Sequence, residues 1–412
     1  MMLSRRSLIA TAAASSSLPV LAKASAPGLT SLTKGAKPIS ATEREARIAK
    51  LQRLMSAQKI GALIVESGST LDYFTGVQWR RSERTTAAVI PAKGETVIVT
   101  PAFEEPSVRE SLKVAANVRS WNEHESPFAR IVQALKDRGV LSGPVAFEQT
   151  TRLFIVDGVR KAGPAYELVS GDALVRACRL IKSPTELALM QVANDVTLAA
   201  LRYTHARTKV GMKPSDLAHL MEEATRMLGG SSVEFNLVLL NEASAYPHGS
   251  HQPQVVKEGG VVLMDCGCTV HGYQSDISRS WVVGQPTEKQ RKVWNTVKRG
   301  QEIALETARP GTPVGSIDDA VRAYYEKEGW GPGYKLPGLS HRTGHGIGLD
   351  GHEDPYLVHG DATPLQPGMC FSDEPGIYIP GEFGIRLEDC WHMTEQGPKL
   401  FTPLARSLEA PI

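Results

Sequence analysis

Five side chains in the second half of the chain are of types that can bind divalent metal ions. Four are carboxylates and one is an imidazole: Asp265, Asp276, His345, Glu374 and Glu388. Carboxylates packed together repel one another unless cations neutralise them, so the cluster favours bound metal. Two divalent ions that share a water turn it into a hydroxide nucleophile near neutral pH. The set therefore predicts metal-assisted hydrolysis.

The ligand types narrow the choice of metal without fixing it. Oxygen-rich ligation with a single nitrogen favours Mn²⁺, while Co²⁺, Zn²⁺ and Fe²⁺ are compatible with the same side chains. We therefore expect two divalent metal ions, with Mn²⁺ as the first choice.

Strands and helices that can position these ligands are predicted in the second half of the chain. Apolar, β-branched stretches predict one strongly curved antiparallel sheet, from strands at 261–268, 277–284, 368–379 and 383–394. The two Asp fall on neighbouring strands, as do the two Glu, so each pair can meet across a hairpin. Amphipathic runs predict helices over the outer face of the sheet, with caps at Ser183, Ser215, Thr287 and Ser316.

The first half predicts a separate domain, which makes the fold class α/β in the α+β sense. Short apolar runs predict strands at 61–65, 86–90, 96–100 and 144–147. Helical spacing predicts helices at 46–57 and 128–139. We expect a linker at 27–42, an N-terminal domain at 43–176 and a catalytic domain at 177–412.

The first 26 residues are typical of an export signal. Tandem arginines at Arg5 and Arg6 precede a weakly apolar run rich in Ala and Ser, as in a twin-arginine signal peptide. We expect a signal peptide at 1–26, with cleavage after Ala24, and a periplasmic or secreted protein. A net charge of +2 does not suggest nucleic-acid binding, and no later apolar stretch suggests embedding in a membrane.

The ordered ligands resemble those of the creatinase, prolidase and aminopeptidase P group of peptidase family M24, which has the pita-bread fold. In that family an Asp, a second Asp eleven residues on, a His and two Glu bind two metals, in the order seen here. The resemblance covers about residues 45–400. It implies a creatinase-like N-terminal domain, a pita-bread catalytic domain and a homodimer or higher homo-oligomer.

The same resemblance assigns roles to residues around the ligands. It implies catalytic roles for His248, His352, Glu374 and Arg386, and substrate-binding roles for His341 and Tyr378. Glu374 would relay a proton to the departing nitrogen, and His248 or His352 would steady the oxyanion. His251 is an alternative to His248, which the offset from Asp265 favours.

The implied activity is cleavage of the N-terminal Xaa-Pro bond of dipeptides or short peptides. Alternatives are a broader aminopeptidase or other pita-bread hydrolase, or a peptide-binding relative without catalysis. A dipeptidase needs a cation for the free carboxylate of its substrate, yet residues 353–373 contain no Arg or Lys. Arg80, Arg81 or Arg84 could substitute, so the preferred substrate length stays open.

Overall fold

The structure is a computed structural model that describes residues 29–231 and 233–412. The predicted signal peptide and the first two residues of the predicted linker lie outside this part of the chain. Within it, no helix has the length and apolar character needed to cross a bilayer.

The first half forms a mixed six-stranded sheet in the order β4-β3-β2-β1-β5-β6. The strands are β1 Ala62–Glu66, β2 Ala87–Pro91, β3 Val97–Pro101, β4 Asn117–Trp121, β5 Gly143–Phe147 and β6 Tyr166–Ser170. β2 pairs antiparallel with β1 and β3. The other three pairs, β3–β4, β1–β5 and β5–β6, are parallel. The predicted strands at 86–90 and 96–100 therefore pair as a hairpin around Lys93.

Helices cover both faces of this sheet, because its central strands are apolar on both sides. They are α1 Ala41–Ala57, α2 Ser69–Thr75, α3 Glu105–Ser111, α4 Pro127–Asp137, α5 Leu153–Ala162 and α6 Asp172–Arg179. On one face Ile64 packs among side chains of α4 and α5. On the other, Leu63 and Val65 join a core that continues into the second half of the chain. Full burial of such a side chain contributes about 1.5–3 kcal/mol.

Four longer helices surround the strands of the second half. They are α7 Pro184–His205, α8 Pro214–Leu228, α9 Glu288–Thr307 and α10 Gly315–Lys327. Ser183 and Thr287 cap α7 and α9 as predicted, each in a reciprocal capping box. The predicted caps of the other two helices were wrong. Pro214 opens α8, because its fixed φ suits the first helical position, and Ser316 lies inside α10.

The strands of the second half are antiparallel and pair in three groups. They are β7 Val233–Leu240, β8 Val261–Val270, β9 Tyr273–Gln274, β10 Ile277–Val282, β11 Gly344–Gly346, β12 Glu353–Leu357, β13 Cys370–Asp373, β14 Gly376–Ile379, β15 Phe383–Arg386, β16 Asp389–Thr394 and β17 Gly397–Leu400. One group has the order β10-β8-β7, with β9 on β8; another has the order β12-β11-β13-β16-β17; β14 and β15 form a hairpin.

Two of the predicted strands are each interrupted once. The stretch 368–379 breaks at Glu374 and Pro375, and the stretch 383–394 breaks at Leu387 and Glu388. Pro375 has no N–H to donate to a ladder, which favours the break at its position. The two breaks lie opposite each other, so the β13–β16 ladder is separated there from the β14–β15 hairpin.

Buried polar contacts join the two halves. Arg47 of α1 pairs with Glu186 of α7 at 3.3 Å, and both contact the hydroxyl of Tyr273. These contacts fix the N-terminal domain against the domain that carries the ligands.

Candidate active site

The β8–β10 ladder places Asp265 and Asp276 together. Asp265 lies within β8, and Asp276 directly precedes β10. Ile277 pairs with Cys266 and Ser278 pairs with Asp265. Asp276 directly precedes Ile277 and therefore lies close to Asp265 across the ladder. The two carboxylates converge, as expected for residues on neighbouring strands.

The facing breaks in the sheet place Glu374 and Glu388 together. Asp373, the last residue of β13, pairs with Asp389, the first residue of β16. Glu374 follows Asp373, and Glu388 precedes Asp389. Because the two strands are antiparallel, both Glu residues lie beyond the same end of the ladder. The Glu374 amide donates to the Thr343 carbonyl at 2.8 Å, which ties this break to the segment that carries His345.

His345 lies on β11, fully buried, with its ring directed at the carboxylates. Its Nδ1 is 3.0 Å from the carbonyl oxygen of Gly346. Since a carbonyl only accepts, Nδ1 carries the proton and Nε2 has a free lone pair. That Nε2 is 3.5 Å from an oxygen of Asp276 and 3.5 Å from an oxygen of Glu374. This is the tautomer that a metal ligand needs.

The arrangement of the five residues fits a dinuclear centre. Ligand atoms of Asp265, Asp276 and Glu388 lie within 4.8 Å of one another, as do those of His345, Glu374 and Glu388. One buried oxygen on each of Asp265, Asp276 and Glu388 has no hydrogen-bond partner among the described residues. Buried carboxylate oxygens without donors are costly, and divalent cations would satisfy them.

Burial, and after it the proximity of other carboxylates, opposes ionisation of the ligand carboxyl groups and raises their pKa values. Burial and neighbouring Asp265 raise the pKa of Asp276 well above its ordinary value. Burial and the surrounding carboxylates do the same to the pKa of Glu388. Burial raises the pKa of Glu374 to about 7. Metal binding must therefore displace protons from this cluster.

Arg386 is fully buried and holds the ligand cluster from one side. Its guanidinium donates to Asp265 at 2.5 Å, to the Ser278 hydroxyl at 2.9 Å and to the Tyr378 hydroxyl at 3.2 Å. The Ser278 hydroxyl in turn donates to Glu388 at 2.7 Å. Arg386 therefore orients two ligand carboxylates, one of them directly and one through a hydroxyl.

His341 and Tyr378 extend this network away from the ligands. His341 Nδ1 is 2.8 Å from the carbonyl of Arg342, so Nδ1 carries the proton and Nε2 accepts from the Tyr378 hydroxyl at 2.7 Å. Burial lowers the pKa of His341 to about 3, which keeps it neutral at pH 7. Tyr378 is fully buried behind His341, and it contacts the cavity through His341.

A cavity of about 550 Å³ opens over the ligands. Its wall includes His248, His352 and Arg342, while Phe235, Leu237 and Val358 contribute an apolar surface. The imidazole centroids of His352 and His345 are 3.8 Å apart. His352 Nδ1 accepts from Arg342 at 3.3 Å, which leaves Nε2 as the protonated donor. Burial lowers the pKa of His352 to about 4, so this ring is neutral at pH 7.

Comparisons with known proteins match both halves of the chain. The model of metallopeptidase family M24 matches residues 188–395, and the model of the creatinase/prolidase N-terminal domain matches residues 47–181. The chain is 33% identical over 347 residues to a probable dipeptidase PepE of Mycobacterium tuberculosis, covering 82% of this chain and 88% of that protein. This chain belongs to metallopeptidase family M24.

Further M24 relatives match over nearly their whole length. An Xaa-Pro dipeptidase of Pyrococcus furiosus is 28% identical over 364 residues, covering 88% of this chain and 99% of the relative. The crystal structure of a prolidase from Thermococcus sibiricus superposes with a TM-score of 0.81 at 27% identity, covering 87% of this chain and 97% of that one. The predicted family, fold class and metallopeptidase activity are confirmed.

The structure brings together the residues that the sequence predicted for this M24 site, except that Tyr378 lies behind His341 and does not line the cavity. The five ligands cluster, and the cavity wall includes His248, His341, His352 and Arg386. His251, the alternative to His248, is exposed and does not line the cavity. The individual roles assigned to these residues stay predictions.

Sequence reasoning missed two polar residues of the site. Ser278, two positions after Asp276, holds Glu388, and Arg342 lies between His341 and the ligand His345. Arg342 lies in the segment that carries the histidines, before residues 353–373, where sequence reasoning expected the cation of a dipeptidase. Alternation along a strand places Ser278 on the same face as Asp276, and this signal was available.

Proposed function

We propose that this M24 metallopeptidase cleaves the Xaa-Pro bond at the N-terminus of dipeptides or short peptides. The observation that carries the proposal is the convergence of five ligands beneath a cavity that also holds two neutral imidazoles. The names of the relatives support the substrate class, because they include an Xaa-Pro dipeptidase and a prolidase.

The five ligands would hold two divalent ions, which supply an activated water and polarise the scissile carbonyl. The residues of the chain perform the remaining tasks. His352 has a ring nitrogen within 4.8 Å of ligand atoms of Asp276 and His345, and its Nε2–H can donate to the carbonyl oxygen as negative charge develops on it. His248 lines the same wall and can contact the leaving side of the substrate.

Proton transfer falls to Glu374. Its carboxylate lines the cavity beside the other ligands, where it can accept a proton from the attacking water and then release it to the leaving nitrogen. Arg386 and Ser278 keep neighbouring ligand carboxylates in place while this occurs. Apolar side chains at Phe235 and Val358 suit a prolyl ring.

Three finer features belong to this proposal. We take Mn²⁺ as the working metal because four of the five ligands are carboxylates. We take a dimer or higher oligomer as the active form on the basis of the family resemblance. We take export through a twin-arginine signal as the route to the periplasm, on the basis of Arg5 and Arg6.

The proposal is tested with metal-free protein and matched substrates. Protein treated with a chelator is supplied separately with Mn²⁺, Co²⁺, Zn²⁺ or Fe²⁺, and release of alanine from Ala-Pro and from Ala-Ala is measured. We expect metal-dependent cleavage of Ala-Pro, with Mn²⁺ most effective and with little cleavage of Ala-Ala. Equal cleavage of both would support a broader aminopeptidase, and cleavage of neither with any metal would overturn the proposal.

A further inference from the structure

The cavity contains one cation whose binding capacity the protein leaves largely unused. Arg342 is half-buried and lines the cavity beside the ligands. One guanidinium nitrogen donates to His352 at 3.3 Å, and the guanidinium carbon lies 4.0 Å from the ring centroid of Tyr356. Across residues 29–231 and 233–412, no carboxylate forms an ion pair with Arg342. The stacked guanidinium therefore presents most of its donors to the cavity.

The other cations near the ligands are already engaged. Arg386 donates to Asp265, Tyr378, Ser278 and the carbonyl of Pro247. A second carboxylate could bind to it only by displacing one of these acceptors.

Two more cations nearby pair with acids inside the fold. Arg322 pairs with Asp318 at 2.8 Å, and Lys182 pairs with Glu353 at 3.0 Å. Neither lines the cavity. They contribute to the fold rather than to the binding of a ligand.

The arginines at 80, 81 and 84 do not replace Arg342 within this chain. Arg81 donates to the Ser67 carbonyl and to Thr150, and Arg84 pairs with Glu123 at 2.9 Å. Arg80 is exposed and lines a different cleft, between the two domains. Among the described residues, Arg342 is the cation of the cavity that has no acidic partner.

Arg342 also lies at the distance that a dipeptide requires. A single imidazole, His352, separates it from the ligand His345: the two rings are 3.8 Å apart, and the hydrogen bond to Arg342 is 3.3 Å. In an Xaa-Pro dipeptide, the carboxylate carbon is only two bonds from the scissile nitrogen. A substrate whose carbonyl lies at the ligands therefore places its carboxylate within reach of Arg342.

We propose that Arg342 binds the free C-terminal carboxylate of the substrate and so makes this protein a dipeptidase. This inference rests on the proposed Xaa-Pro activity and adds a length preference to it. A dipeptide offers two charged oxygens to the guanidinium fork, whereas a longer peptide offers a neutral carbonyl at the same place. The stack on Tyr356 keeps the guanidinium plane fixed before the substrate arrives.

The test compares Ala-Pro with its C-terminal amide, which differs in charge and scarcely in size. Wild type should cleave Ala-Pro with the higher kcat/KM. Arg342→Ala should lower kcat/KM for Ala-Pro about 10- to 100-fold more than it lowers kcat/KM for the amide, mainly through KM. Arg342→Lys should recover part of the loss, because it keeps the charge without the fork. Arg80→Ala is the matched control and should behave as wild type.

Each other outcome has a definite meaning. If Arg342→Ala loses kcat/KM equally on the acid and on the amide, Arg342 acts through His352 or through the fold. If kcat/KM falls on neither substrate, Arg342 does not take part in binding. Either result overturns the inference. If wild type cleaves neither substrate, the Xaa-Pro proposal fails, and titration calorimetry with proline and prolinamide then tests Arg342 separately. Proline binding that is stronger than prolinamide binding in wild type and lost in Arg342→Ala supports the carboxylate site, and any other pattern overturns it.

Discussion

Removal of the Glu353 carboxylate should destabilise the protein by about 3–5 kcal/mol at pH 7, without any change at the metal ligands. Glu353 directly follows His352 and pairs with Arg179 and, at 3.0 Å, with Lys182. Arg179 keeps a second partner, since it pairs with Asp350 at 2.8 Å. Lys182 is 5% exposed and has no other acidic partner among the described residues, so Glu353→Ala leaves its charge buried and unpaired.

The pH dependence of stability gives a second measure of the same interaction. Burial opposes ionisation of Glu353, but the charges of Arg179 and Lys182 lower its pKa from 4.5 to about 2. A lowered pKa stabilises the folded state above pH 4.5, and this stabilisation disappears as the pH falls toward 2. At about 1.4 kcal/mol per pH unit, the carboxylate contributes roughly 3 kcal/mol at neutral pH.

Urea unfolding of wild type and Glu353→Ala at pH 7 measures the loss directly. The double variant Glu353→Gln with Lys182→Met removes the carboxylate and the buried ammonium together, leaves Arg179 paired with Asp350, and should recover at least half of the loss. A loss below 1 kcal/mol in Glu353→Ala, or no recovery in the double variant, would refute the reasoning.

Three further predictions follow from buried groups near the ligands. Burial raises the pKa of Glu374 from 4.5 to about 7, so this group should lower the free energy of unfolding of the chelated protein by roughly 3 kcal/mol as the pH rises between these values. Mn²⁺-loaded protein should not show this loss. Equal dependence of the melting temperature on pH with and without metal would contradict the prediction. Asp389→Ala leaves fully buried Arg279 without its partner at 2.6 Å and should lower the free energy of unfolding, measured in urea, by about 3–5 kcal/mol. A loss below 1 kcal/mol would refute the importance of this pair. Arg386→Lys should lower kcat about 10- to 100-fold with an unchanged near-UV circular dichroism spectrum, because an ammonium lacks the fork that holds two ligands; an unchanged kcat would exclude that role.

The ligands were predictable because their side-chain types carry the signal. Four acids and one histidine, with the two Asp separated by a short turn, require neighbouring strands and a neutralising cation. The Ser183 and Thr287 caps were equally readable, since each is followed by an acid or amide three residues later.

The breaks at Glu374 and Glu388 were not readable from hydropathy, because buried apolar residues such as Phe371, Ile377 and Ile385 continue on both sides of them. The sequence also does not show which arginine reaches the cavity. The position of Arg342 depends on the ring of Tyr356 and on His352, ten residues away in the chain. Such contacts arise from tertiary packing, which local propensity does not encode.

The central claim is that five converging residues hold two metal ions that enable cleavage of Xaa-Pro bonds. The most direct test is a titration of chelated protein with Mn²⁺, with alanine release from Ala-Pro measured at each addition and Asp276→Asn as the variant. The account predicts activity that rises to a plateau at two ions per chain and is lost in Asp276→Asn. Full activity before any metal is added, or an Asp276→Asn protein as active as wild type, would contradict it.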